Sequence, residues 1–533
     1  MSAIVNVRQG KLKGSLCESV LGTSYFSFKG IPFAAPPLGP LRFKDPEPPA
    51  SWTGFRDAGN IEVNCCVQLN EMSPSDIIGS EDSLYLNVYT TSMTGNKAVI
   101  VFIHGGGFVQ GSGTDKFKRP DYFMNKDIVF VTINYRLGVL GFLNLDDEVA
   151  AGNQGLKDQV AALKWIQENI SHFGGNAKNV TIFGNSAGAA CVHLLTISPM
   201  AKGLFHKAIC ASGVATCPWS LELSKPENCF KLASILGFKD SKDPKEVVEF
   251  LRTVPAAQLI KAQFQITTME NVENLPTGPV MDAKSKNPFL PRPLNELLKN
   301  DADIPIMIGY TNNEFIMFLK NDSDEGLKKT DQKLNYYIEQ LAISKEPEKI
   351  DRLVKDVRNY YFGNDKPIIK EAIPSLISFM SDIFFCHPTN NIVDDRRKRN
   401  CAPTYLYKFS YVGNETTITQ LLRESKIQSE NLCYYPKGAS HTDELSYLFY
   451  LPLCKAKNPL PPAKGTKDRA MIERLTYLWT NFAKTGNPTS SLNEYVNTTW
   501  TPVSNDTLTY LELKDFINCP FKDELAEMIK RNA

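Results

Sequence analysis

The chain has 533 residues, and its 59 basic and 58 acidic side chains leave a formal net charge of +1, so there is no electrostatic case for nucleic acid or an anionic membrane as partner. The composition, 42% hydrophobic and 22% charged, excludes a disordered or fibrous chain and suits an ordinary globular body. Length alone would allow several domains, but there is no internal repeat, low-complexity tract or Pro/Gly/Ser-rich linker, and residues 1–533 are read as one domain.

The N-terminus, Met1 to Lys11, alternates like a strand and lacks the apolar core of a secretory signal. The longest apolar runs are too short to span a bilayer, and the C-terminus carries no retention tetrapeptide or lipid-anchor tail. These features predict a cytoplasmic protein with no transmembrane segment, a secreted one being the alternative if a leader is missing. The 12 cysteines are scattered without metal-like or redox-like spacing, so most are expected to be reduced and buried. Sequons at Asn169, Asn179, Asn321, Asn414, Asn497 and Asn505 carry little weight without an export signal.

Short strands are predicted at Ile4 to Val7, Tyr25 to Phe28 and Leu84 to Tyr89, with a proline-rich surface loop from Ile31 running toward Trp52. Two continuous apolar runs, Ala98 to Ile103 and Ile128 to Ile133, read as strands buried on both faces. Apolar positions 160, 163, 166 and 170 then repeat at helical spacing, and the strand at 180 and another helix follow. This alternation predicts an α/β fold with a large central, mostly parallel mixed sheet flanked by helices. Further on, 222–260, 326–362, 467–485 and 520–531 read as helical, and Ile304 to Ile308 and Thr404 to Phe409 as central strands.

The β-branched run from Val180 ends at Gly184, and small residues from Ala187 to Ala190 open the next helix. Ser186 therefore falls on the corner between strand and helix in Gly-Asn-Ser-Ala-Gly, the pattern of a nucleophile elbow. The motif alone is weak, and the chemistry asks for more. A serine hydroxyl is a poor nucleophile at neutral pH and needs a base, which in turn needs an orienting acid. Of the six histidines, His172, His193 and His206 fall on or beside helices near the elbow, and His387 precedes a proline. His441, in the polar loop Gly438-Ala-Ser-His-Thr-Asp-Glu, lies where the last member of a Ser, acid, His order belongs. Glu314, just after the strand at 304, fits the acid, with Asp282 and Asp303 as rivals. The run His104-Gly-Gly-Gly-Phe108 follows the buried strand at 98, so Gly106, Gly107 and Ala187 are candidate oxyanion donors.

From its first strand to its last helix the chain resembles the type B carboxylesterase and cholinesterase family, and within it the insect α-esterases. The resemblance rests on Phe28-Lys-Gly-Ile-Pro-Phe-Ala-Ala-Pro-Pro, Ser80-Glu-Asp-Ser-Leu-Tyr-Leu-Asn-Val, Asn134-Tyr-Arg-Leu-Gly-Val-Leu-Gly-Phe-Leu, Gly152-Asn-Gln-Gly-Leu-Lys-Asp-Gln, Phe173-Gly-Gly-Asn and Ser440-His-Thr-Asp-Glu-Leu-Ser-Tyr. It implies the α/β-hydrolase fold, the triad Ser186, Glu314 and His441, the oxyanion hole Gly106, Gly107 and Ala187, and ion pairs Arg42 with Glu81 and Arg136 with Asp158. Trp219 matches a position lining the acyl pocket, and Phe108 and Asn185 are taken with it as substrate-binding. Three positions depart from the family pattern. Asn185 stands where Glu is usual, Phe315 where Gly usually follows the triad acid, and Ser83 where Cys is common. Without that Cys, the family's first disulfide cannot form from Cys65 or Cys66, which favours a reducing compartment.

The expectation is a serine carboxylic-ester hydrolase working through an acyl-enzyme on small to medium apolar esters in detoxification, with organophosphates and carbamates as inhibitors. No metal or organic cofactor is implied, and the oligomeric state is left open. A non-catalytic or slow-turnover binding member of the fold, and a hormone or odorant esterase, are the alternatives.

Overall fold

The structure is a computed structural model that describes residues 2–59, 64–70, 73–238, 241–266, 277–319, 322–363, 367–416, 432–455, 458–505 and 508–533. The chain falls into two compact units, one of residues 1–307 with 447–497 and the other of residues 308–446 with 498–533.

In the first unit, strands β1 (Ser2–Val7), β2 (Gly10–Glu18), β3 (Ser24–Pro32), β4 (Tyr85–Thr90), β5 (Lys97–Ile103), β6 (Val129–Ile133), β7 (Gly175–Asn185) and β8 (Lys207–Ala211) lie side by side as β1-β2-β3-β4-β6-β5-β7-β8. β1 to β4 form antiparallel pairs, and β4 runs antiparallel to β6. β6, β5, β7 and β8 are parallel, which requires crossovers. Helices α1 (Gln154–Asn169) and α2 (Ala187–Ile197) supply those on either side of β7. Every residue of β6 is buried, as is all of β5 after Lys97, as continuous apolar runs covered on both faces require.

Sequence periodicity misses β2. Its inward side holds Leu12 and Gly14, and a Cβ on Gly14 would stand 2.6 Å from the Phe28 ring. Glycine is there because an aromatic ring fills the space, so the strand carries almost no apolar signal. Beyond Pro32, where β3 ends, the proline-rich stretch forms no strand, and it is anchored by buried Phe43 and Arg42. The Arg42 guanidinium pairs with both Glu81 oxygens at 2.7 and 2.5 Å and donates to the carbonyls of Leu251, Arg252 and Val254.

The second implied ion pair is deeper. Arg136 reaches Asp158 through Nε at 2.8 Å and Nη2 at 2.7 Å, and its backbone N–H adds a third bond at 3.0 Å. The two side chains are 4% and 0% exposed. Removing one partner strands a buried charge, so Asp158→Asn is expected to cost roughly 3–5 kcal/mol, read as a lower urea midpoint.

No disulfide joins any of the twelve cysteines, all of which lie among the described residues, and only Cys66, Cys191, Cys210, Cys217, Cys229 and Cys386 are buried, fewer than expected. Cys66 Sγ lies 2.8 Å from Ser83 Oγ across a 17-residue separation. A further approach of about 0.8 Å reaches a disulfide bond length. Ser83→Cys is therefore expected to lose two titratable thiols on mild oxidation and to gain about 3 kcal/mol of stability. Of the sequons, Asn169 is fully buried and accepts from Arg8 N–H while donating to the Trp165 carbonyl. Asn321 lies outside the described residues.

The second unit is built on β9 (Ile306–Thr311), β10 (Thr404–Phe409), β11 (Thr509–Glu512) and β12 (Ile517–Pro520), adjacent in that order. β9 starts two residues later than the apolar run predicts because Ile304 is in a turn onto Ala302 and Pro305 has no N–H to give a ladder. Among the described residues of this unit the helices of eight or more residues are Asp324–Glu339, Pro347–Phe362, Ile373–Ser381, His387–Lys398 and Glu524–Arg531, and a π-helical turn, Asp382–Cys386, lies between the third and fourth.

Candidate active site

In the first unit, β7 ends at Asn185 and α2 begins at Ala187, leaving Ser186 alone at the corner with φ 60° and ψ −130°. That basin is costly for any residue but glycine. It persists because the corner is pinned: Ser186 N–H donates to the Ala211 carbonyl at 2.8 Å and its own carbonyl accepts from Ala190 N–H at 3.0 Å. Close backbone approach fixes the neighbours. A Cβ on Gly188 would sit 2.2 Å from the Ile103 carbonyl oxygen, and one on Gly105 would sit 2.5 Å from the Asn185 oxygen and 3.0 Å from Ser186 Cβ. The glycine run after β5 therefore packs directly on the serine corner. Gly106 and Gly107 take φ of 112° and 59°, and the Gly106 carbonyl accepts from Val109 and Gln110 N–H at 3.1 Å each.

His104 heads this run and is 1% exposed. Its ring stacks on Tyr135 at 4.5 Å, its Nδ1 lies 2.9 Å from the Gly105 carbonyl oxygen, and its own carbonyl accepts from Tyr135 Oη at 3.0 Å. Burial pushes the imidazole down to about 3, so it is neutral.

The other histidines outside the His441 loop have local tasks. His172 is exposed, His193 Nδ1 accepts from Ala215 N–H at 3.0 Å, and His206 Nδ1 accepts from Val180 N–H at 3.2 Å. His387 opens a helix and lies between Asp523 at 3.2 Å and Asn391 at 3.0 Å.

In the second unit, Glu314 follows β9 and is fully buried. Its Oε1 accepts from Thr311 N–H at 2.6 Å, and its Oε2 lies 2.5 Å from His441 Nδ1. His441 is 1% exposed, and its Nε2 is buried with no hydrogen-bond partner among the described residues. Two loops far apart in sequence are fastened to make this pair. Asn313 N–H donates to the Ala439 carbonyl at 3.1 Å, and Ala439 N–H donates to Asn312 Oδ1 at 2.8 Å. On the other side, Ser440 N–H donates to Asp443 Oδ2 at 2.7 Å. The sequence reading passed over Asn312 and Asn313, although an Asn-Asn pair between a strand and a buried acid is the available signal.

The rival acids are placed otherwise. Asp282, in the first unit, accepts from the N–H groups of Phe289 and Leu290 and faces Lys157 at 3.5 Å, and Asp303 is exposed. Phe315 causes no conflict beside Glu314. Its ring stacks on Phe384 at 5.7 Å and its N–H donates to Ser381 Oγ at 3.0 Å. Phe318 and Phe385 continue this cluster, their centroids 5.2 and 4.9 Å from that of the His441 ring.

Residues 1–528 match the profile of the Carboxylesterase family. The chain belongs to the carboxylesterase family. Esterase E4 of Myzus persicae is 36% identical over 517 residues, covering 94% of this chain and 89% of the relative. Juvenile hormone esterase of Tribolium castaneum is 36% identical, covering 91% and 84%. The crystal structure of juvenile hormone esterase from Manduca sexta with OTFP covalently attached superposes with a TM-score of 0.84 at 28% identity, covering 99% of this chain and 98% of that one. This carboxylesterase accordingly has the α/β-hydrolase fold and is a carboxylic-ester hydrolase.

The three side chains of this carboxylesterase expected to bind substrate, Trp219, Phe108 and Asn185, are uncharged and buried. Trp219 is 3% exposed, and its ring edge and the Ser186 carbonyl crowd the same backbone point, 2.9 and 2.5 Å from a Cβ built on Gly213. Phe108 is fully buried at φ 62°, edge-on to Phe142 at 5.8 Å. Asn185 is 2% exposed, with Nδ2 at 3.4 Å from the Ala211 carbonyl oxygen.

Proposed function

We propose that Ser186 is the nucleophile, His441 the base that takes its proton, and Glu314 the acid that holds the imidazole. The N–H groups of Gly106, Gly107 and Ala187 receive the oxyanion. The observation that carries this reading is the backbone of Ser186, held at φ 60° and ψ −130° between β7 and α2 with a glycine run packed on it. That arrangement exposes a hydroxyl at a strained strand-to-helix corner, as an elbow requires. The Glu314–His441 pair supports it, because a carboxylate on Nδ1 leaves Nε2 as the proton acceptor. Attack on the ester carbonyl forms the acyl-enzyme and expels the alcohol, and water then releases the acid.

Trp219 lines the acyl pocket and Phe108 is a further substrate-binding residue, a setting that favours small to medium apolar esters. Asn185, uncharged where the family usually has Glu, alters selectivity or pH response without abolishing turnover. The physiological role we assign is ester detoxification, with organophosphates and carbamates as covalent inhibitors and neither nucleic acid nor a membrane as partner. The chain acts as one functional domain in the cytoplasm, a reading supported by Ser83, which stands 2.8 Å from Cys66 Sγ where a disulfide would need a cysteine. Hormone or odorant hydrolysis remains the second reading because two of the relatives above are named juvenile hormone esterases.

A substrate profile over short and long acyl esters, with pre-steady-state kinetics, tests the proposal. Steady turnover after the acylation burst, with a preference for short to medium acyl chains, is expected. A stoichiometric burst followed by negligible turnover would assign the protein to sequestration instead.

A further inference from the structure

We propose that His104 is a positioning residue of the oxyanion hole, aiming the Gly106 N–H by holding the carbonyl of its own peptide unit. The inference rests on the reading of Gly106 as an oxyanion donor and deepens it.

Gly105 C=O and Gly106 N–H belong to one planar unit, and there are no cis peptide bonds among the described residues. In a trans unit the two groups point in opposite directions. His104 Nδ1 is 2.9 Å from the Gly105 oxygen. A carbonyl oxygen only accepts, so Nδ1 carries the proton and donates. Fixing the oxygen on one side therefore fixes the direction of the N–H on the other. The φ of 112° at Gly106 and 59° at Gly107 is backbone that glycine reaches without steric cost, so the His104 bond adds a restraint on the Gly105 side to the two N–H groups, of Val109 and Gln110, that hold the Gly106 carbonyl.

The clamp has its own support. The imidazole stacks on Tyr135 at 4.5 Å with planes 19° apart, and Tyr135 Oη donates to the His104 carbonyl at 3.0 Å. A Cβ on Gly111 would meet the Gly105 oxygen at 2.3 Å and His104 Nδ1 at 2.5 Å, so the Gly111 backbone closes over the bond. His104 Nε2 is buried without a partner among the described residues. Satisfying one ring nitrogen at the expense of the other is a cost that packing alone does not explain, and a buried phenylalanine would pack as well. What phenylalanine lacks is the donor.

The test compares wild type, His104→Phe and His104→Asn, with rates normalised to active sites titrated by an organophosphate so that misfolded protein drops out. His104→Phe keeps an aromatic ring against Tyr135 and loses the donor. It is expected to lower kcat on the order of tenfold to a hundredfold, short of the roughly 10²–10³ that deleting a donor costs, with KM nearly unchanged. Its affinity for a trifluoromethyl ketone, whose adduct carries the same oxyanion, falls by a similar factor. His104→Asn, with a side-chain N–H to offer the same carbonyl, recovers most of both. Overturning results are a His104→Phe kcat within twofold of wild type, a loss confined to KM, or no recovery in His104→Asn. Failure of the underlying reading looks different, because wild type itself would then show no tight ketone complex and Ser186→Ala would still turn over.

Discussion

Ser186→Ala is expected to lower kcat by on the order of 10⁵- to 10⁶-fold while leaving KM close to its wild-type value. Alanine keeps the helix start at residue 187 and the backbone bond from residue 186 to the Ala211 carbonyl, so the proposed oxyanion donors stay in place and only the proposed nucleophile goes. The residual rate is then what binding and oxyanion stabilisation supply without a covalent step. An organophosphate is expected to add one phosphoryl group per wild-type chain, located at Ser186 by peptide mass spectrometry, and none to the variant. A wild-type adduct at any other residue, or a variant within tenfold of wild type, would remove Ser186 from its role.

Glu314→Gln is expected to cost about 10⁴-fold in kcat, because it reverses the imidazole tautomer rather than merely weakening a bond. Thr311 N–H already claims one oxygen of Glu314 at 2.6 Å. In the glutamine variant that donor keeps the amide oxygen, so the amide NH₂ must face His441 Nδ1. Nδ1 then has to accept, which puts the ring proton on Nε2, the atom that must be bare to take the serine proton. The fold is unaffected, so the thermal midpoint should move little while turnover collapses. A loss under tenfold with a normal midpoint would show that another carboxylate orients the histidine.

The parts of the site that were legible in sequence are those whose chemistry forces a local pattern. The corner at Ser186 needs small residues at 184 and 188, and those are visible without a structure. The pairing of His441 with Glu314 joins two residues that chain order and polar loop context single out. The helix Lys467–Thr485 and the strand Thr404–Phe409 appear where periodicity places them. What was hidden depends on long-range packing. The Phe318 and Phe385 rings beside His441 come from distant parts of the chain. Phe384 and Phe385 are adjacent on the π turn Asp382–Cys386, whose wider repeat no 3.6-residue pattern registers. Strand β2 was lost because the residue that fits under Phe28 is a glycine, and β9 was misplaced by two residues because Ile304 reads as apolar strand while Pro305 breaks the ladder.

The backbone of Ser186 also sets what this protein would become if it stopped being an enzyme. At φ 60° and ψ −130° a side chain of any kind costs roughly 1–3 kcal/mol that glycine would recover. Ser186→Gly is therefore expected to be inactive and yet to unfold at higher urea concentration than wild type. The hydroxyl is thus carried at a position where the backbone alone favours having no side chain at all.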